Sequence, residues 1–333
     1  MLGDCASGQA SGGEGMAAGI GFALIAGMLW GLVFIAPLML AEYPAMLLSA
    51  GRYLAFGLIA LPLGWLDRHN LRRLSAADWR EALKLALVGN LLYYLCLASA
   101  IQRAGGALPT MIIGTLPVVI AITANRRNVQ RDGQLPWRLL AFPLALILSG
   151  ILLVNHAEMQ GMQQSGEWSL QTYGSGVLLA CLAVVCWTWY PVRNADWLRN
   201  HPDRSPRSWA TAQGLMTLPL SAILMAGIGL LPESGGVAFP FGPTPQKFIL
   251  LMLAMGLLAS WLGTLCWNEA SQRLPTALAG QLIVFETLFA LLYAFVLRGE
   301  FPPLQILAGI ALLVLGVILA VRIRPVGAVE SAH

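Results

Sequence analysis

Charge is what this chain has least of. Lys, Arg, Asp and Glu make up 11% of 333 residues, against 57% hydrophobic residues. A soluble domain carries roughly 25% charged residues, so the shortage excludes an ordinary soluble fold. Length here counts membrane spans rather than soluble domains. Histidine is scarce as well: His69, His156, His201 and His333 all fall in loops or at the terminus. The chain has no HExxH, no CxxC and no Cys/His ligand spacing among Cys5, Cys96, Cys181, Cys186 and Cys266. Four of these cysteines lie inside apolar runs and read as small buried filler. With no metal cluster, no cofactor motif and no paired Asp at membrane depth, the sequence argues against an enzyme. Residues 1–16 are rich in Gly and Ser but contain no Lys or Arg. A signal peptide needs a basic n-region, so this stretch reads as a flexible tail, with Met16 as a candidate start.

Long apolar runs are plentiful. Stretches of the length that crosses a bilayer, about 20 residues, recur near 17–37, 44–66, 82–101, 105–123, 137–155, 173–193, 209–231, 248–268, 276–297 and 303–322. The expected fold is an all-α integral membrane protein with ten transmembrane helices. The net charge of +4 gains meaning only from where the cations lie, and no nucleic-acid partner is expected. With the amino terminus inside, sixteen Lys and Arg fall on the inner side, including Arg68, Arg72, Arg126, Arg127, Arg131, Arg193 and Arg204. Three, Arg103, Lys247 and Arg298, fall outside, and Arg52 lies within the membrane. Such asymmetry predicts both termini in the cytoplasm.

The chain also repeats itself. A shift of 157 carries Gly19, Ala23, Trp30 and Pro62 onto Gly176, Ala180, Trp187 and Pro219. A shift of 170 carries Leu83, Cys96, Ala100, Gln102 and Arg103 onto Leu253, Cys266, Ala270, Gln272 and Arg273. The expected organisation is a tail (1–16), a first repeat (17–155), a linker (156–172), a second repeat (173–324) and a carboxyl tail (325–333). Five helices per copy is an odd number, so the second copy enters the membrane upside down. Secondary transporters are commonly built from such inverted repeats, with a substrate site near the midplane.

Unrepeated polar residues are the candidates for function. Glu286 maps back onto Leu116 and Arg52 maps forward onto Trp209. A charge at the bilayer centre costs about 2.5–3.5 kcal/mol on insertion scales. Glu286 near the middle of "GQLIVFETLFALLYAFVLRGE" therefore calls for a reason. It either faces a central aqueous cavity, binding substrate or exchanging a proton, or forms a structural pair with Arg52. Arg52 itself either reaches that cavity or snorkels outward on its long stem. Asn90, Tyr93 and Tyr94 on the third span, and Ser260, Trp261, Thr264 and Asn268 on its counterpart, are expected to face each other across a pocket. Interhelical hydrogen bonding is the plainer account of the same residues. Trp30 and Trp187 either line the cavity or anchor at the interface.

The stretches "GFALIAGMLWGLVF", "SAGRYLAFGLIALPL", "TMIIGTLPVVIAI" and the Glu286 segment resemble the EamA-type members of the drug/metabolite transporter superfamily over residues 17–324. The segment "ALKLALVGNLLYYLCLASAIQRAGGALPTMIIGTLPVV" with "LIVFETL" is similar to a YtfF-type branch of bacterial inner-membrane proteins. The resemblance implies an inner-membrane exporter working by alternating access, with helices five and ten peripheral. It matches the family's Arg in helix two to Arg52 and its Pro in helix four to Pro117. The Glu-Pro of helix nine becomes Glu286-Thr287, which leaves a kink there open. The implied partners are the lipid bilayer, a small-molecule substrate such as an amino acid, and a coupling proton. A lipophilic cation is the alternative substrate. A homodimer is an open assembly, and no cofactor is expected.

Overall fold

The structure is a computed structural model that describes residues 4–104, 107–124, 136–164, 170–230, 239–299 and 301–323. Arg126, Arg127, Arg131 and Arg324 of the orientation count lie outside the described residues, as does the whole of the carboxyl tail. The described chain is helical, beginning with α1 (Asp4–Gly31), α2 (Ala45–Leu66), α3 (Ala76–Lys84) and α4 (Tyr93–Ala104). Next come α5 (Ala107–Ile113), α6 (Leu116–Ala124), α7 (Trp137–Gln164) and α8 (Leu170–Asn200). The rest is α9 (Pro206–Gly229), α10 (Pro245–Ala254), α11 (Gly263–Arg273), α12 (Thr276–Leu282), α13 (Val284–Arg298) and α14 (Leu304–Val321). α1 starts within the expected amino-terminal tail, and α7 and α8 extend into the expected linker.

Eight described stretches are long and apolar enough to cross a membrane, among them the composite Ala76–Ala104 and Pro245–Arg273. A count of ten requires the broken α5–α6 pair and the 18-residue α14 to span as well. Backbone polar groups in lipid must be satisfied within the protein, and helices do this locally. Several helices therefore keep an internal proline: Pro62, Pro143, Pro191 and Pro219.

The two halves are interleaved. α1 packs on α11 and α4 on α8, while α2 packs on α9, α6 on α12 and α7 on α14. Exchanging the halves swaps the first two contacts and returns α2–α9 and α7–α14 to themselves, as two copies related by a two-fold axis would do. The close approaches agree. Gly19 lies against Arg273 and Leu274, and its shifted counterpart Gly176 lies against Ala104. Lipid removes the hydrophobic drive between helices, so small residues and close backbones hold them instead. At the α7–α14 contact, a methyl added to Gly150 would sit 2.6 Å from the carbonyl oxygen of Gly309.

Two local irregularities position the centre of the molecule. Residues Leu85–Leu92 and Met255–Leu262 are both wound as π-helix, eight residues each and offset by the same 170 that relates the sequences. Such wide turns are rare and concentrate at functional sites. The expected fourth and ninth spans are interrupted, at Gly114-Thr115 between α5 and α6 and at Ile283 between α12 and α13. Pro117 fits the first turn of α6, where a missing N–H costs nothing. Helix nine is interrupted although Thr287 stands where the family pattern has proline. Its break puts Glu286 in the first turn of α13, at the positive end of a half-helix dipole.

Candidate functional site

Arg52 projects from α2 into the protein rather than toward an interface, and it is 4% exposed. Its Nε donates to Ser260 Oγ at 3.0 Å and its Nη2 to the Ala259 carbonyl at 3.4 Å. Both acceptors belong to the second π segment, so the contact joins residues 208 positions apart. The guanidinium also lies over the rings of Tyr94, 4.5 Å from the centroid, and Tyr53, at 4.9 Å. Such cation–π contacts gain strength when desolvated. The snorkelling geometry is absent.

Glu286 is 1% exposed. α1 lies directly on its backbone because a methyl at Gly27 would come within 3.1 Å of the Glu286 nitrogen. The Trp187 indole and the Tyr93 hydroxyl face its carboxylate, and Arg52 acts on it electrostatically. The two charges nevertheless form no ion pair, and Glu286 Oε2 and Arg52 Nη1 both lack a hydrogen-bond partner. A direct structural pair is therefore not what the geometry holds.

Aromatic rings wall this region. Trp30 and its symmetry mate Trp187 meet edge to face, with centroids 4.9 Å apart. Trp187 stacks between Tyr93 at 4.6 Å and Tyr190 at 4.9 Å, and Trp30 also touches Trp267 at 5.2 Å. Several polar atoms here are buried without partners: Asn90 Nδ2, the Tyr93 and Tyr94 hydroxyls, and the Trp187 and Trp267 indole nitrogens. Native proteins leave few such groups, and each calls for an explanation. Their concentration around one carboxylate and one guanidinium is what a site for a polar ligand provides.

The expected residues divide into two groups. Arg52, Glu286, Tyr93, Tyr94, Trp30, Trp187, Asn90 and Ser260 are buried, and most are linked through these contacts. Asn268, Trp261 and Thr264 face a different network. Asn194 Nδ2 donates to Asn268 Oδ1 at 2.9 Å, and Asn194 Oδ1 accepts from Trp209 Nε1 and Gln213 Nε2 at 2.9 and 3.1 Å. Tyr190 closes that network by donating to Gln213 at 2.9 Å, with Thr264 beside its hydroxyl. Trp261 is half-buried and donates to Thr211 Oγ1 at 3.1 Å. Sequence reasoning passed over Tyr53 and Gln281, while Trp267, on the same span as Ser260, does reach the aromatic enclosure. Gln281 is fully buried, with neither side-chain polar atom partnered, one residue inside the end of α12. Its signal was present as the second polar residue of the Glu286 segment.

Among the described residues no cluster of His, Cys, Asp and Glu could hold a metal. Comparison with known proteins follows the same lines. The EamA-like transporter family matches residues 17–126 and 174–322, one block in each half. The inner membrane protein YtfF of Escherichia coli K12 is 55% identical over 312 residues, covering 93% of this chain and 97% of its own. A solved structure titled only as the crystal structure of a protein superposes with a TM-score of 0.69 at 20% identity. It covers 92% of this chain and 97% of its own, a likeness of fold alone. The two matched blocks coincide with the interleaved halves, and the chain belongs to the EamA-like transporter family, a family of membrane transporters rather than enzymes.

Proposed function

We propose that the protein is a ten-span secondary transporter of the bacterial inner membrane, with both termini cytoplasmic, that exports a small polar metabolite by alternating access. An amino acid or related zwitterion is the substrate that fits best. The observation that carries this is a buried cation and a buried anion, each with one unpartnered polar atom, within one aromatic enclosure. Arg52 offers Nη1 to a carboxylate, Glu286 offers Oε2 to an ammonium group or a proton, and the Tyr and Trp rings shape the space between. The described conformation keeps both charges out of water, so the cycle needs a second conformation in which they meet it. The interleaved halves supply the two-fold relation that makes inward-open and outward-open forms equivalent in kind. The reading is the same for a monomer or a homodimer. Efflux of lipophilic cations is the second reading, favoured by Glu286 lying among the Trp and Tyr rings.

The test is uptake of labelled amino acids into proteoliposomes with an imposed pH gradient, comparing the wild type with Glu286→Gln. The substitution keeps the shape and removes the charge, so gradient-driven flux should fall at least tenfold and lose its pH dependence. Unchanged rate and pH profile would remove the carboxylate from the coupling step. Competition by lipophilic cations but not by zwitterions would favour the second reading.

A further inference from the structure

One described cavity lies away from the Arg52–Glu286 region. It lies at the end of the molecule that carries the arginine-rich loops, measures about 510 Å³, and is open along one side. Ligand clefts generally fall between 300 and 1,000 Å³. Its floor is apolar, from Leu61 of α2, Leu215 of α9 and the buried Leu71 and Leu74. Gly64 lets that floor close up, since a methyl there would meet Leu215 and Leu71 at 3.1 and 3.3 Å. Its rim is cationic and aromatic. A short helix, Arg68–Leu71, turns the chain so that Arg68 and Arg72, four residues apart, both line the cavity with Trp65 and Trp79.

Among the described residues these two arginines have no acidic partner. Arg68 lies over the Trp65 ring at 5.1 Å and donates to the Trp65 carbonyl, while the neighbouring carboxylate, Asp67, is occupied by Ser208 at 2.5 Å and Asn70 at 2.7 Å. Beside the rim the surface turns apolar: Trp65 is 67% and Leu66 65% exposed. Two guanidinium groups without a described carboxylate partner above a greasy trough, framed by tryptophans at the end of an apolar helix long enough to span, match one kind of molecule. We propose that this cavity binds an anionic phospholipid, with the headgroup phosphate held by Arg68 and Arg72 and acyl chain lying along Leu61 and Leu215.

The experiment is a thermal-shift titration of the detergent-solubilised full chain with short-chain phosphatidylglycerol, short-chain phosphatidylcholine and inorganic phosphate. Phosphatidylglycerol should raise the melting temperature saturably, and the other two should not. Arg68→Gln with Arg72→Gln should weaken apparent affinity roughly thirtyfold, from two lost charges near the surface. Arg68→Lys with Arg72→Lys should keep the preference for the anionic lipid. Arg73→Gln, outside the cavity lining, should leave affinity within about twofold, because it touches no phosphate. An equal response to phosphatidylcholine would reduce the cavity to an apolar groove. A response to phosphate alone would make it a free-anion site. Wild-type affinity in the folded Gln pair would equally overturn the assignment.

Discussion

Gly89 sits in the first π segment directly against the ring of Tyr190, and Gly89→Ala tests how tightly the aromatic enclosure is built. An added methyl would lie 2.1 Å from Tyr190 Cδ2 and 2.6 Å from its Cγ, where ordinary contact begins at 3.4 Å. The ring must therefore retreat by more than an ångström. It has nowhere soft to go, because one face is stacked on Trp187 and its hydroxyl holds Gln213 at 2.9 Å. Overpacking of this kind costs about 1–3 kcal/mol, and an orphaned Gln213 adds about 1 kcal/mol or more. The sum, about 2–4 kcal/mol, corresponds to a fall in melting temperature on the order of 3–6 °C for a chain of this length. The repeat supplies a reason for the glycine. Symmetry carries position 89 to Ala259, which does bear a methyl, and carries Tyr190 to the smaller Val33. Tryptophan-fluorescence melts of the purified protein read the effect, with Gly21→Ala as control, since a methyl at Gly21 meets nothing within 4 Å. If Gly89→Ala melts within roughly a degree of the wild type, the enclosure is looser than the distances say, and the argument from its geometry fails.

Asn194→Leu should lower the melting temperature by a comparable amount, because it strands Trp209, Gln213 and Asn268 together in a buried network. Arg52→Lys should keep charge recognition but weaken substrate affinity about tenfold, since Lys cannot reproduce the planar fork; Arg52→Gln should abolish binding, and an unchanged Km in both would dismiss Arg52 as a substrate contact. In a cysteine-free background, an impermeant maleimide should label Arg72→Cys only from the cytoplasmic side and Lys247→Cys only from the outside. Labelling of both from one side would overturn the assigned orientation.

How far the sequence could be read depended on which physical signal each feature leaves. The repeat offsets of 157 and 170 were legible, and they reappear as matched helix contacts and matched π segments. The solitary charges were legible too, because a membrane interior makes Arg52 and Glu286 stand out. The interruption of helix nine left no proline as a mark, and it is visible only in the backbone at Ile283. Trp261 and Asn268, one and eight residues beyond Ser260, were assigned with it to one pocket. π winding advances fewer degrees per residue, so the face that Ser260 presents to Arg52 differs from the face that meets Thr211 and Asn194. Tyr53 and Tyr190 were invisible because a tyrosine in an apolar run reads as filler until its neighbours are known.

Interleaving has one more outcome. Since every long rod leans chiefly on a rod from the opposite copy, neither copy owns an interior of its own. Translated by itself, either half would be left with glycine-studded flanks and nothing to clasp. Made together as severed fragments, the two should recognise each other and dovetail without a covalent tether, because the described grip is helix against helix across the copies.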